Sequence, residues 1–261
     1  MTKTIALAGK GGTGKTTLAA LLIRYLTQDN GHTVLAIDAD PAVNLNLALG
    51  LPLTKTVGDI REDLLDEAQS GAITTGVARQ DYLNYQLRLS VEEGDEVDLL
   101  AMGRPEGKGC YCPVNHMLRQ IVDGLGEQYD YIVIDNEAGM EHLSRRTTKD
   151  VDLLFIVTDP TIRGITAAKG ILTLAGALDI NIKRTALVVN RVVGAELPKP
   201  LTDAIEEMGV ELAGYIPADP NVNELDAWGR PLIELSADSP AAASIWQIAE
   251  KYVGNVAMSA N

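Results

Sequence analysis

The sequence predicts an α/β fold: a doubly wound, mostly parallel sheet with helices on both faces, in a single domain over residues 1–261. Three observations carry this. Short continuous runs rich in Val, Ile and Leu recur through the 261 residues, the composition of strands covered on both faces. Helical patterns separate those runs, so successive strands connect by crossovers. Polar clusters stand at the carboxyl ends of the runs, where sheets of this kind bind ligands.

In chain order, strand Thr4–Ala8 opens into Gly9-Lys10-Gly11-Gly12-Thr13-Gly14-Lys15-Thr16 and then a helix from Thr16 to about Thr27. Strand Thr33–Asp38 ends at Asp38-Ala39-Asp40-Pro41. Residues 51–96 are the least legible stretch, with a helical pattern at Asp59–Ala68. Strand Val97–Met102 leads to Gly109-Cys110-Tyr111-Cys112-Pro113, where Pro113 suits the first position of a helix from Val114 to about Val122. Strand Tyr131–Asp135 runs into a turn reaching Gly139. Strand Leu153–Thr158 ends at Asp159-Pro160, followed by helix Ile165–Leu178. Strand Thr185–Asn190 ends at Asn190-Arg191, followed by helix Leu201–Met208. Strand Leu212–Ile216 ends at Pro217-Ala218-Asp219, and helix Pro240–Tyr252 closes the pattern with Ser239 as its N-cap. No internal repeat is present.

The formal net charge is −14. Such a surface repels nucleic acid phosphates and anionic lipid, so neither nucleic acid nor membrane is an expected partner. No secretory leader is recognisable, and no stretch approaches the roughly 20 apolar residues of a membrane span. The chain has only two cysteines, too close together for a useful structural staple. A reducing cytoplasm is the expected location.

A glycine-rich loop between a buried strand and a helix is a phosphate cradle. Its glycines let backbone N–H groups turn inward, and the helix N-terminus adds its positive end. Gly11, Gly12, Thr13 and Gly14 form the cradle. Lys15 reaches the β- and γ-phosphates, the Thr16 hydroxyl binds the accompanying Mg²⁺, and Thr17 completes the set. Asp135, at the end of an apolar strand, holds the Mg²⁺ directly or through water, and Gly139 offers an N–H to the γ-phosphate. Asp40 is placed to orient an attacking water and accept its proton, with Asp38 nearer the metal shell. Each of these aspartates also fits a plain turn or helix-capping role.

Cys110 and Cys112 admit two readings: small buried hydrophobes, or thiolates sharing one soft metal. Two thiolates supply half of a tetrahedral site, and a two-fold axis through the loop would supply the rest. His116 lies one helical turn beyond Cys112 as a possible further ligand.

Lys10 gives the loop a second lysine, and the Lys-Gly-Gly-x-Gly-Lys-Thr form resembles the deviant phosphate loop of the MinD/ParA and nitrogenase iron-protein superfamily. The resemblance implies an ATPase whose ATP and ADP states differ in dimerisation, with Lys10 reaching the partner subunit's phosphates. It further implies that Asn190, Arg191, Pro217 and Asp219 meet the adenine, although many relatives carry Lys at the Arg191 position. Together with Cys110-Tyr111-Cys112, Asp38–Pro41 and the segment Asp135-Asn136-Glu137-Ala138-Gly139-Met140-Glu141-His142-Leu143, nearly the whole chain resembles the CooC-type nickel-insertion ATPases. That resemblance implies an ATP-bound homodimer holding Ni²⁺ or Zn²⁺ between the Cys110–Cys112 pairs. The client it implies is carbon monoxide dehydrogenase or acetyl-CoA synthase. Two other readings stand beside it: a MinD/ParA-type positioning ATPase, and an iron–sulfur scaffold or reductase ATPase.

Overall fold

A computed structural model describes residues 2–70, 85–86, 88–104, 128–138, 150–177, 180–194 and 196–254. Its strands are β1 (Lys3–Gly9), β2 (Val34–Ala39), β3 (Val91–Glu92), β4 (Val97–Ala101), β5 (Tyr131–Asn136), β6 (Asp150–Val151), β7 (Leu153–Thr158), β8 (Asn181–Ile182), β9 (Thr185–Val192) and β10 (Glu211–Pro217). The helices are α1 (Lys15–Arg24), α2 (Leu45–Leu49), α3 (Val57–Ser70), α4 (Ile162–Ala177), α5 (Lys199–Glu207), α6 (Pro220–Trp228) and α7 (Pro240–Tyr252).

Eight strands form one sheet in the order β10-β9-β7-β1-β5-β2-β4-β3. Every pairing in it is parallel except β3 with β4. The alternation along each strand explains why both faces need cover. Ile5 and Leu7 of β1, with Leu153, Phe155 and Val157 of β7, enter a core cluster shared with α1 and α7. Their neighbours Ala6, Ala8, Leu154 and Ile156 enter a second cluster on the other face, shared with α4 and α5. Burying each such Leu, Ile or Phe contributes about 1.5–3 kcal/mol, so the central strands are the last place a ligand-driven motion would start. Phe155 is fully buried and meets the Tyr252 ring edge-on at 5.6 Å. The edge strand β10 is only half-buried, and Gly214 there lets Ile248 of α7 approach the backbone, with a would-be Cβ only 3.0 Å from its side chain.

The expected strands all occur, with ends within two residues of the sequence reading. The first helix differs: regular α-helix stops at Arg24, and Tyr25–Asp29 continues as a π-turn that still buries Leu26 and Thr27. The two-residue strands β3, β6 and β8 are too short to show periodicity. α2 and α6 were likewise not expected. The helix at Val114–Val122 lies outside the described residues. Among the described residues no helix is long and apolar enough to cross a membrane.

Candidate active site

The central strand β1 runs between β5 and β7, so the Gly9–Thr16 loop emerges at the middle of the sheet's carboxyl edge. A Cβ on Gly9 would collide with the Val157 carbonyl oxygen. Gly12 and Gly14 adopt φ of 78° and 89°, left-handed values that other residues reach only with strain. The Lys10 carbonyl closes the loop: it accepts the Thr13 N–H at 3.4 Å, the Thr13 hydroxyl at 2.9 Å and the Lys15 ammonium at 3.4 Å. Lys10 itself, with Gly11 and Gly12, is exposed, and Thr16 and Thr17 are half-buried at the start of α1. Lys15 is buried, and this holds its pKa below the ordinary lysine value against the opposing pull of Asp135, Asp40 and Glu137.

β2 and β5 are paired with Asp38 opposite Asp135, which sets the two carboxylates side by side at the strand ends. Asp135 accepts the Thr16 hydroxyl at 2.6 Å on Oδ2, while its buried Oδ1 has no hydrogen-bond partner among the described residues. Burial pushes its pKa up to about 7; the Thr16 bond and Lys15 oppose that shift, and Asp38 and Asp40 add to it. A buried carboxylate oxygen without a partner, beside a hydroxyl at the mouth of a phosphate loop, fits a hard divalent cation such as Mg²⁺. Asp38 differs. Its Oδ1 accepts the Asp40 N–H at 3.0 Å, and its Oδ2 accepts the N–H groups of Asn44 and Leu45 at 2.8 Å each. Both oxygens therefore serve the loop that starts α2, and burial raises its pKa despite them. Asp40 is half-buried, with Oδ1 taken by the Ala42 N–H at 2.8 Å.

On the other side of the loop lies a cavity of about 200 Å³ lined by Thr17, Asn190, Arg191, Pro217 and Asp219 among others. Asn190, Arg191, Pro217 and Asp219 were expected here and Thr17 with the phosphate loop, whereas Val222, Asn223 and Ile245 were missed. The signal for the first two was legible, because Asp219-Pro220 is an N-cap followed by proline at N1. The Asp219 carboxylate joins two helices: it accepts the Asn221 N–H at 2.9 Å at the start of α6, and the Ser239 hydroxyl and Ala241 N–H at the start of α7. Burial alone would raise its pKa, but those donors hold it below the ordinary carboxylate value. Asn190 donates to the Thr13 carbonyl at 2.8 Å, and Arg191 donates to the Gly12 carbonyl at 2.8 Å. The guanidinium therefore sits on the phosphate loop.

The site joins Lys10, Gly11–Thr17, Asp38, Asp40, Asp135, Asn190, Arg191, Pro217 and Asp219 along one sheet edge. Gly139, Cys110, Cys112, His116 and His142 lie outside the described residues. Among the described residues no group of three or more His, Cys, Asp or Glu side chains is arranged to hold a metal.

Residues 4–232 match the family model described as the CobQ/CobB/MinD/ParA nucleotide binding domain. An uncharacterized ATP-binding protein of Methanocaldococcus jannaschii is 42% identical over 249 residues, covering 95% of this chain and 98% of the relative. The carbon monoxide dehydrogenase accessory protein CooC of Rhodospirillum rubrum is 32% identical over 252 residues, covering 89% of this chain and 90% of the relative. Among solved structures, the septum site-determining protein MinD of Pyrococcus horikoshii OT3, complexed with Mg-ADP, superposes with a TM-score of 0.70 at 24% identity, covering 99% of this chain and 98% of that one. The chain belongs to the CobQ/CobB/MinD/ParA family of P-loop ATPases.

Proposed function

We propose that this ATPase is a metallochaperone: ATP binding brings two copies together, the paired Cys110 and Cys112 hold Ni²⁺ between them, and hydrolysis releases the ion to carbon monoxide dehydrogenase or acetyl-CoA synthase. The observation that carries the reading is the coincidence of two features in one chain. A phosphate loop stands beside an unsatisfied Asp135 oxygen, and a Cys-x-Cys pair occurs in a sequence 32% identical to a carbon monoxide dehydrogenase accessory protein. The ordinary two-cysteine alternative, a pair of small hydrophobes, gives no reason for both thiols in a chain that has no other.

The residues divide the work as follows. Gly11 to Gly14 present backbone N–H groups to the phosphates, and Lys15 supplies charge from a partly desolvated position, where it acts more strongly than it would in bulk water. Thr16 and Asp135 hold Mg²⁺, which when bound neutralises charge on the phosphate oxygens. Asp40 uses Oδ1 to fix its own turn, leaving Oδ2 to take a proton from the attacking water. Exposed Lys10 reaches the partner's phosphates. Thr17, Asn190, Arg191, Pro217 and Asp219 line the base side. Zn²⁺ competes for the same thiolates by affinity, so delivery depends on metal supply as well as on the site. The acidic surface, at net −14, works against a positioning role on DNA or anionic lipid.

The test is metal content and mass measured together, with and without a non-hydrolysable ATP analogue. Wild type is expected to form a dimer carrying one metal per pair of chains. The double substitution Cys110→Ser, Cys112→Ser is expected to lose the metal and keep nucleotide affinity. Metal retained stoichiometrically by that variant would defeat the proposal.

A further inference from the structure

We infer that Arg191, acting with Asn190, is a positioning residue that shapes the phosphate loop before nucleotide arrives and ties it to the base cavity. This deepens the nucleotide-site reading and rests on it. The geometry begins with two successive carbonyls. Asn190 Nδ2 donates to Thr13 O and Arg191 Nη1 donates to Gly12 O, each at 2.8 Å. In a planar trans peptide the N–H points opposite to the C=O. Holding the Thr13 carbonyl toward β9 therefore turns the Gly14 N–H the other way. Holding the Gly12 carbonyl fixes the Thr13 N–H toward Lys10 O, the contact that closes the loop. Both carbonyl oxygens, which would repel a polyphosphate, are kept out of the cradle.

Among the described residues the peptide between Gly12 and Thr13 has one other restraint, the 3.4 Å bond of its N–H to Lys10 O. Gly12 is exposed, has φ of 78° and would have no atom within 4 Å of an added Cβ. Sterics leave it free to flip, so its orientation is selected by that long bond and by the shorter 2.8 Å donation from Arg191. Arg191 is itself held in an uncommon conformation, with φ of 60°. A non-glycine residue there costs on the order of 1 kcal/mol and persists only where its surroundings fix it. Here the Arg191 N–H donates to Asn190 Oδ1 at 2.8 Å. Asn190 thus holds Thr13 with one end of its amide and the Arg191 backbone with the other. Arg191 also lines the base cavity, so one side chain touches both the base's seat and the loop that holds the phosphates.

A residue that contacts only the base and a residue that shapes the loop make different predictions for a ligand without a base. The probe is inorganic tripolyphosphate with Mg²⁺, competed against fluorescently labelled ADP on the full chain. Arg191→Asn is the first variant, because Asn tolerates the left-handed backbone and removes only the guanidinium. Arg191→Lys is the second, keeping the charge but not the fork. Arg191→Asn is expected to weaken tripolyphosphate and ADP by a similar factor, about tenfold for the loss of one charged hydrogen bond. Arg191→Lys is expected to weaken both by less. Loss of ADP affinity with tripolyphosphate unchanged would make Arg191 a base contact and overturn the inference, as would no change in either. Wild type that ignores millimolar tripolyphosphate overturns it too, since a loop already shaped needs no base. Wild type that binds no ADP at all would instead remove the nucleotide-site reading beneath it.

Discussion

The ends of β2 and β5 present the same side chain at the same level and use it in opposite ways. Asp38 and Asp135 are register partners, exposed by 1% and 2% respectively, and both have pKa values raised chiefly by burial. Asp38 gives its oxygens to three backbone N–H groups of its own chain. Asp135 accepts one hydroxyl, and its Oδ1 has no partner among the described residues. A buried carboxylate oxygen without a donor costs free energy, and a fold keeps that cost where a ligand repays it. The difference separates structure from binding better than residue type does: the satisfied aspartate builds the loop, and the unsatisfied one is the proposed cation ligand.

The sharpest way to break that comparison is at Asp135. Asp135→Asn is expected to cut Mg²⁺-dependent ATP hydrolysis by about 10²–10³-fold, the loss typical of removing one preorganised electrostatic contact. Steady-state phosphate release checks it; a loss below threefold would mean that the cation is held elsewhere. The same variant should be more stable than wild type without nucleotide. An elevation from 3.8 to about 7 makes the folded state bind the proton more tightly than the unfolded one. Wild type then loses stability as pH rises through about 7, a penalty with a ceiling of roughly 4 kcal/mol. Asn carries no such proton. Urea unfolding at pH 8 should favour Asp135→Asn, and the advantage should shrink by roughly half or more by pH 5 and vanish only below the unfolded-state value of 3.8. An advantage that is equal at both pH values would detach it from Asp135 ionisation.

Asp38→Asn should do the reverse. Three N–H groups then face a single carbonyl oxygen, and the new NH₂ meets donors. Destabilisation of about 2–3 kcal/mol is expected, read as a lower urea midpoint with unchanged slope. Nucleotide affinity should fall less than at Asp135. Equal effects of the two substitutions on Mg²⁺-ADP binding would erase the distinction between the strands.

Much of this was legible in the sequence, for identifiable reasons. Buried parallel strands are continuous apolar runs, so β1, β2, β5, β7 and β9 announced themselves, and Gly9–Thr16 followed from its strand and helix context. The division between Asp38 and Asp135 was not legible, because it depends on where amide groups six and seven residues downstream of Asp38 return. Arg191 was expected at the adenine because the family resemblance implied it; its positive φ, and its bond back to Gly12, have no signature in the residue name. α2 was missed because five residues, LNLAL, carry no helical period and depend on Asp38 for their start.

Val43 marks the mechanical cost of that arrangement. The Asp40 carbonyl accepts its N–H at 3.1 Å in a tight turn, while the next two amides are drawn to Asp38, and between these constraints Val43 takes φ of 39°. A β-branched residue there is strained by on the order of 1–3 kcal/mol. Val43→Gly relieves the strain but adds about 0.5–1 kcal/mol of unfolded-state entropy and removes a half-buried side chain. The expected net is a small gain, about 1–2 °C in Tm. The β5 end has no positive-φ residue among those described, so it offers no matching variant. A fall of more than 3 °C would show that Val43 packing outweighs its backbone strain. In that case Asp38 is holding a loop that the apolar contacts would hold without it.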